Sequence, residues 1–141
     1  TKNTLEHRIL INYISLKEVF NNSILGVGTG DYQDFLNKRY EEIKFKLGIL
    51  KKLNNHNQYV AEFLKTGVFG GVVFIILIFN LLKVNFYRYP NYFSLVVLFS
   101  IACLFESYLD RQHGVIIFGF ILPIFYKYDS SSQDNLLDSS D

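Results

Sequence analysis

Up to residue 65 the chain sets short apolar stripes among polar residues, and from residue 66 onward it is written in long apolar runs. Thr66 to Leu82, Tyr92 to Phe105 and Gly114 to Tyr126 carry no charge. A helix needs about 20 residues to cross a bilayer. Each run approaches that length once uncharged or snorkelling neighbours such as Ser107, Tyr108 and Lys127 are added, and aromatic side chains sit at the run ends, where membrane interfaces favour them. The pattern predicts three transmembrane helices, over 66–84, 92–109 and 114–127.

Before residue 66 the spacing is that of surface helices. In Thr4 to Phe20, Leu5, Ile9, Tyr13, Leu16 and Phe20 fall on one stripe and Arg8, Asn12 and Ser15 on another. An arginine so placed is ordinarily solvated or interfacial; its planar donor fork also suits a phosphate. Asn21 to Asp31 breaks the pattern with glycines at 26, 28 and 30. No third glycine at the right spacing, preceding strand or following βαβ unit accompanies them, so the segment predicts a turn and not a nucleotide site. Ile43, Leu47 and Leu50 predict a helix over 41–53 with Gly48 as its weak point. Its lysines form a solvated face, or in the competing reading attract anionic lipid or a diphosphate headgroup. Nothing in the segment matches a nucleic-acid motif.

The two patterns meet at Asn54 to Gly71. His56, flanked by Asn54, Asn55, Asn57 and Gln58, stands about 15 Å of helix from the apolar run. Gly67, Gly70 and Gly71 give a small-residue spacing that admits a neighbouring helix. The loop from Lys83 to Asn91 carries Lys83 and Arg88 and no acid, which assigns it to the cytoplasm and the His56 loop to the outside. Glu106, Asp110, Arg111 and His113 then lie on the same outer side as His56. Pro123 is expected to kink or end the last helix. The serine-rich, acidic segment 129–141 is expected to be a disordered cytoplasmic tail.

Composition agrees with a membrane protein. Of 141 residues, 50% are hydrophobic, with 14 Phe and 10 Tyr and a mean hydropathy of +0.17. With Thr at position 1 and no signal segment, the chain is expected to be a piece of a longer polytopic protein. Cys103 is the one cysteine, so disulfides are excluded by counting. Histidines at 7, 56 and 113 lack metal-ligand spacing, and no metal or other cofactor is expected. No serine elbow is present. What remains is His56 as a general base and Arg8 as an anion stabiliser, with Asn57, Glu106 and Arg111 as supporting groups. In a transporter or channel segment Arg8, His56 and Glu106 would line a solute path. Transporters more often hold ionisable groups in mid-helix, whereas here they gather outside the apolar runs.

The order HRILINYISLKEVFNNSILGVGTGDY, a polar helical stretch, and HNQYVAEFLKTGVFGG leading into an apolar helix resembles the C-terminal part of the O-antigen ligase and polymerase family of bacterial membrane glycosyltransferases. Arg8, Gly26 and Gly28, then His56, Asn57, Gly67 and Gly70, carry the resemblance, which covers residues 5 to 126. It implies an all-α polytopic fragment in the bacterial inner membrane: a periplasmic helical loop over 1–65, a membrane domain over 66–128 and the tail. It also implies a metal-independent, inverting transfer of a glycan from undecaprenyl diphosphate to an acceptor. That acceptor is the lipid A core in ligases, a growing chain in polymerases and a protein in related oligosaccharyltransferases. His56 would be the base on the acceptor hydroxyl, and Arg8 would bind the diphosphate. The family's aromatic position after the arginine is often tryptophan; here Tyr13 stands in. A second arginine would come from an upstream loop, so the fragment is expected to need the remaining N-terminal helices for activity.

Overall fold

The computed structural model describes residues 4–21, 24–84 and 86–138, and these are all-helical with no strand. The helices are α1 (Thr4–Asn21), α2 (Tyr32–Glu42), α3 (Lys46–Lys51), α4 (Gln58–Leu82), α5 (Pro90–Phe105), α6 (Gln112–Ile116) and α7 (Leu122–Asp138). A 3-10 turn covers Tyr108–Asp110 and a π-helical turn covers Ile117–Ile121. The chain forms two compact units: Thr1–Ile75 with Leu104–Ser107, and Ile76–Cys103 with Tyr108–Asp141.

The first unit closes around Ile11, Ile14, Tyr32, Leu36, Tyr40, Ala61 and Leu64. The apolar stripe of α1 is turned outward, with Leu5 64%, Ile9 61%, Tyr13 66% and Phe20 80% exposed. Ser15 and Glu18 are buried instead. The helix is apolar on more than one side, so periodicity alone does not choose its rotation. Ile11 and Ile14 set it, together with the ion pair from buried Glu18 to Arg39 at 3.0 Å.

The helix expected over 41–53 is two shorter ones. α2 ends at Glu42, Lys44 turns into the left-handed region (φ 56°), and α3 begins at Lys46. Phe45 causes the break by entering the core, with its ring 5.5 Å from Tyr40 and 5.3 Å from His7. A Cβ on Gly48 would strike the rings of Phe45 and Tyr40, so this glycine permits a close contact and is no weak point. The Tyr40 hydroxyl donates to the Leu53 carbonyl at 2.9 Å, and burial pushes its pKa up.

α4 is bent at Gly67, whose φ of 71° is non-helical. The expected turn at Gly26 and Gly28 docks on that bend. Val27 N–H donates to the Leu64 carbonyl at 2.8 Å and Gly28 N–H to the Lys65 carbonyl at 2.9 Å. These carbonyls belong to the last turn before the bend, where a helix leaves acceptors unfilled. A Cβ on Gly26 would meet Gly67 N and the Lys65 carbonyl; one on Gly67 would meet the Ile24 carbonyl. The glycine spacing therefore serves a turn, where a neighbouring helix was expected. Added Cβ atoms at Gly70 and Gly71 would meet Thr66 and Phe63 of the same helix.

In the second unit Tyr89, Tyr92, Val96 and Leu122 form the core, and Tyr89 stacks on Tyr126 at 4.7 Å. The expected disordered tail is helical through Asp138, and 139–141 lie outside the described residues. The buried Asp129 carboxylate anchors the start of this segment: it accepts from Asn91 Nδ2 at 2.7 Å and from Tyr92 N–H at 2.9 Å, in the first turn of α5. Pro123 does not end its helix, because the wider π turn just before it leaves room for the ring. Among the described residues α4 is the one helix long and apolar enough to cross a membrane. α5 is apolar but has 16 residues, and the third apolar run is divided between α6, the π turn and α7.

Gly26→Ala and Gly67→Ala are each expected to cost roughly 1–3 kcal/mol through backbone strain, with the clash in addition. Thermal unfolding of the purified full-length protein checks this, and unchanged midpoints would refute the clasp. A raised tyrosine pKa contributes stability that is complete below about pH 10 and is lost as pH climbs toward the folded value. Wild type should therefore lose more thermal stability above that pH than Tyr40→Phe does.

Candidate functional site

The first unit holds an open cavity of about 880 Å³. Glu6, His7 and Arg8 reach it from α1, Lys44, Phe45, Lys46 and Lys51 from the α2–α3 break and α3, and Leu53 and His56 from the segment before α4. Arg8 and His56, far apart in sequence, thus share one chamber. Arg8 Nε is buried with no hydrogen-bond partner, a donor kept out of water and unanswered by the protein.

His56 is held by the backbone and by a carboxylate. It sits in the left-handed region (φ 49°), uncommon for a residue with a side chain and often found where function constrains the backbone. Its Nδ1 lies 3.2 Å from Glu106 Oε2. A carboxylate accepts, so in this contact Nδ1 carries a proton, and in the neutral ring Nε2 is then the acceptor. Both side chains are mostly buried.

The neighbouring polar residues build the turn. Asn57 is the N-cap of α4: its Oδ1 accepts from Val60 N–H at 3.1 Å while its carbonyl accepts from Ala61 N–H at 2.9 Å. Asn55, fully buried, accepts from Ser107 Oγ at 3.1 Å and from Asn57 N–H at 3.4 Å. Its backbone N–H donates to the Tyr32 hydroxyl at 3.4 Å. Ser107 and Glu106 are adjacent, so the bond that fastens Asn55 also brings the carboxylate to His56.

No family model, curated protein or solved structure matches the chain. Its own geometry is therefore what defines the site.

Of the residues singled out from sequence, Arg8 and His56 line the cavity and Glu106 pairs with His56. Asn57 supports the site as a helix cap. Arg111 belongs to the second unit, exposed at the start of α6. Sequence reasoning passed over His7 as a wall residue and read Lys44, Lys46 and Lys51 as a solvated face, or in the competing reading as groups for anionic lipid or a diphosphate. The basic run that contains three of them was visible; the break at Phe45, which turns them to the cavity, was not.

Glu106→Ala is expected to leave the fold intact and to release the His56 tautomer, seen as a change in the imidazole ¹⁵N shifts. Asn57→Ala should instead lower stability by about 1 kcal/mol. A wild-type spectrum with the proton on Nε2 and none on Nδ1 would contradict the pairing.

Proposed function

We propose that this chain is the C-terminal part of a polytopic inner-membrane glycosyltransferase that moves a glycan from an undecaprenyl diphosphate carrier to an acceptor at the periplasmic face. Ligation of O-antigen to the lipid A core is the favoured reaction within that class. The observation that carries the reading is the shared cavity: a histidine fixed by a carboxylate and an arginine with a buried, unpartnered donor face one space. The resemblance of residues 5 to 126 to the ligase and polymerase family points the same way. In this reading α4 spans the membrane, with α5 and the α6–α7 run as the second and third spans.

The chemistry follows from these two side chains. His56 Nε2 takes the proton of an acceptor hydroxyl as its oxygen attacks the anomeric carbon. The carbon–oxygen bond to the diphosphate breaks, its electron pair leaves with the phosphate, and the configuration at carbon inverts. Arg8 presents its guanidinium to the charge that grows on the leaving group. Glu106 keeps the ring oriented and faces the positive charge that forms on it.

In the full-length protein, His56→Ala and Arg8→Ala should each reduce glycan transfer by at least about a hundredfold with abundance and membrane insertion unchanged. Arg8→Lys should also be poor, since an ammonium does not reproduce the planar fork. Transfer at wild-type rates by both alanine variants, measured with purified lipid-linked donor, would sink the proposal. Deleting the gene distinguishes the reactions: loss of glycan from lipid A marks a ligase, single-unit capping a polymerase, and an altered glycoprotein a protein-directed transferase.

A further inference from the structure

The cavity carries more positive charge than a base and one arginine account for. Lys44, Lys46 and Lys51 line it as well, and Glu6 is the one acid among its described lining residues. The fold arranges two of these lysines by a specific device. Lys46 N–H donates to the Lys44 carbonyl at 3.0 Å across Phe45, whose φ of −83° and ψ of 77° make an inverse γ-turn. Phe45 points into the core and holds the turn, and the lysines on either side of it both reach the cavity. Lys44 adopts a left-handed backbone to do so.

The two kinds of positive group differ in exposure. Arg8 is half-buried, with its Nε away from water, whereas all three lysines are exposed. A cavity of about 880 Å³ lies near the top of the usual range for ligand sites, roughly 300–1,000 Å³, and is roomy for a diphosphate alone. A transfer reaction brings two ligands to one base, and the walls offer three lysines beyond the arginine assigned to the diphosphate.

We infer that Lys44, Lys46 and Lys51 form a second anion subsite at the cavity mouth, which binds a phosphate or carboxylate group carried by the acceptor saccharide. This rests on the transferase reading. It assigns to the acceptor a negative charge near the hydroxyl presented to His56. Ammonium groups suit this task, because they meet an anion as mobile point charges and impose no planar geometry.

The test uses full-length protein in nanodiscs of zwitterionic lipid, so that bilayer charge does not contribute. Transfer is measured with the native acceptor glycolipid and with the same glycolipid stripped of its phosphate and carboxylate groups. The triple variant Lys44→Gln, Lys46→Gln, Lys51→Gln should raise KM for the native acceptor about tenfold or more, with donor KM and kcat nearly unchanged. Wild type and the triple variant should handle the stripped acceptor alike. A donor KM that rises as much as the acceptor KM would return the lysines to the diphosphate and overturn the inference, as would an unchanged acceptor KM. A defect that appears only when anionic lipid is added would assign the lysines to the bilayer surface and overturn the inference equally. Direct titration of glucose 6-phosphate against glucose provides a readout that needs no transfer: the phosphate should tighten binding in wild type and in His56→Gln, and not in the triple variant. If His56→Gln keeps full transfer activity while this titration holds, the transferase mechanism fails and the anion subsite stands.

Discussion

Two backbone hydrogen bonds, from Val27 to Leu64 and from Gly28 to Lys65, are the constraint on which the first unit depends. α4 cannot continue straight through Gly67, and the carbonyls before the bend need donors. The turn after α1 supplies them. The segment that carries Arg8 is thereby tied to the helix that starts beside His56. Side-chain packing from Ile11, Ile14 and Leu64 then fills the space the clasp defines.

Chemistry and scaffolding are interleaved around His56. Asn57 ends the loop as a cap, Asn55 fastens the loop to Ser107, and the residue next to Ser107 is the carboxylate that meets the ring. Few of these groups have a single duty. The polar cluster in NNHNQ is thus a set of bonds that force a left-handed histidine and hold it there. Elsewhere in the cavity lining, Phe45 does by packing what the asparagines do by hydrogen bonding: it breaks a helix and sends charged neighbours to the cavity.

Sequence made the helical class legible, because long uncharged runs and spacings of three and four leave little room for strands. Of the candidate site, sequence offered His56 as a titratable group among uncharged polar neighbours and Arg8 as a donor fork on a polar stripe; the cavity that both line was not legible. Direction and interruption were not legible. α1 has more than one apolar side, so its period could not tell which side meets Ile11's partners. The break at Phe45 came from a ring finding space beside Gly48, a tertiary contact that overrides the helical spacing of Ile43, Leu47 and Leu50. The tail looked disordered by composition, yet it is helical through Asp138, and its first residue, the buried Asp129, is bonded to the first turn of another helix.

The clasp between Gly26 and Gly67 has a meaning for how such a chain can vary. Because main chain meets main chain, no exchange of side chains at one position can restore what a methyl group at the other would destroy. The two positions are locked to the same residue type independently of each other, and compensation between them is closed. The exposed neighbours Ile24 and Leu25 and the outer face of α4 beyond the bend carry no such restriction. Drift should therefore be free at those exposed positions and stop at the two glycines.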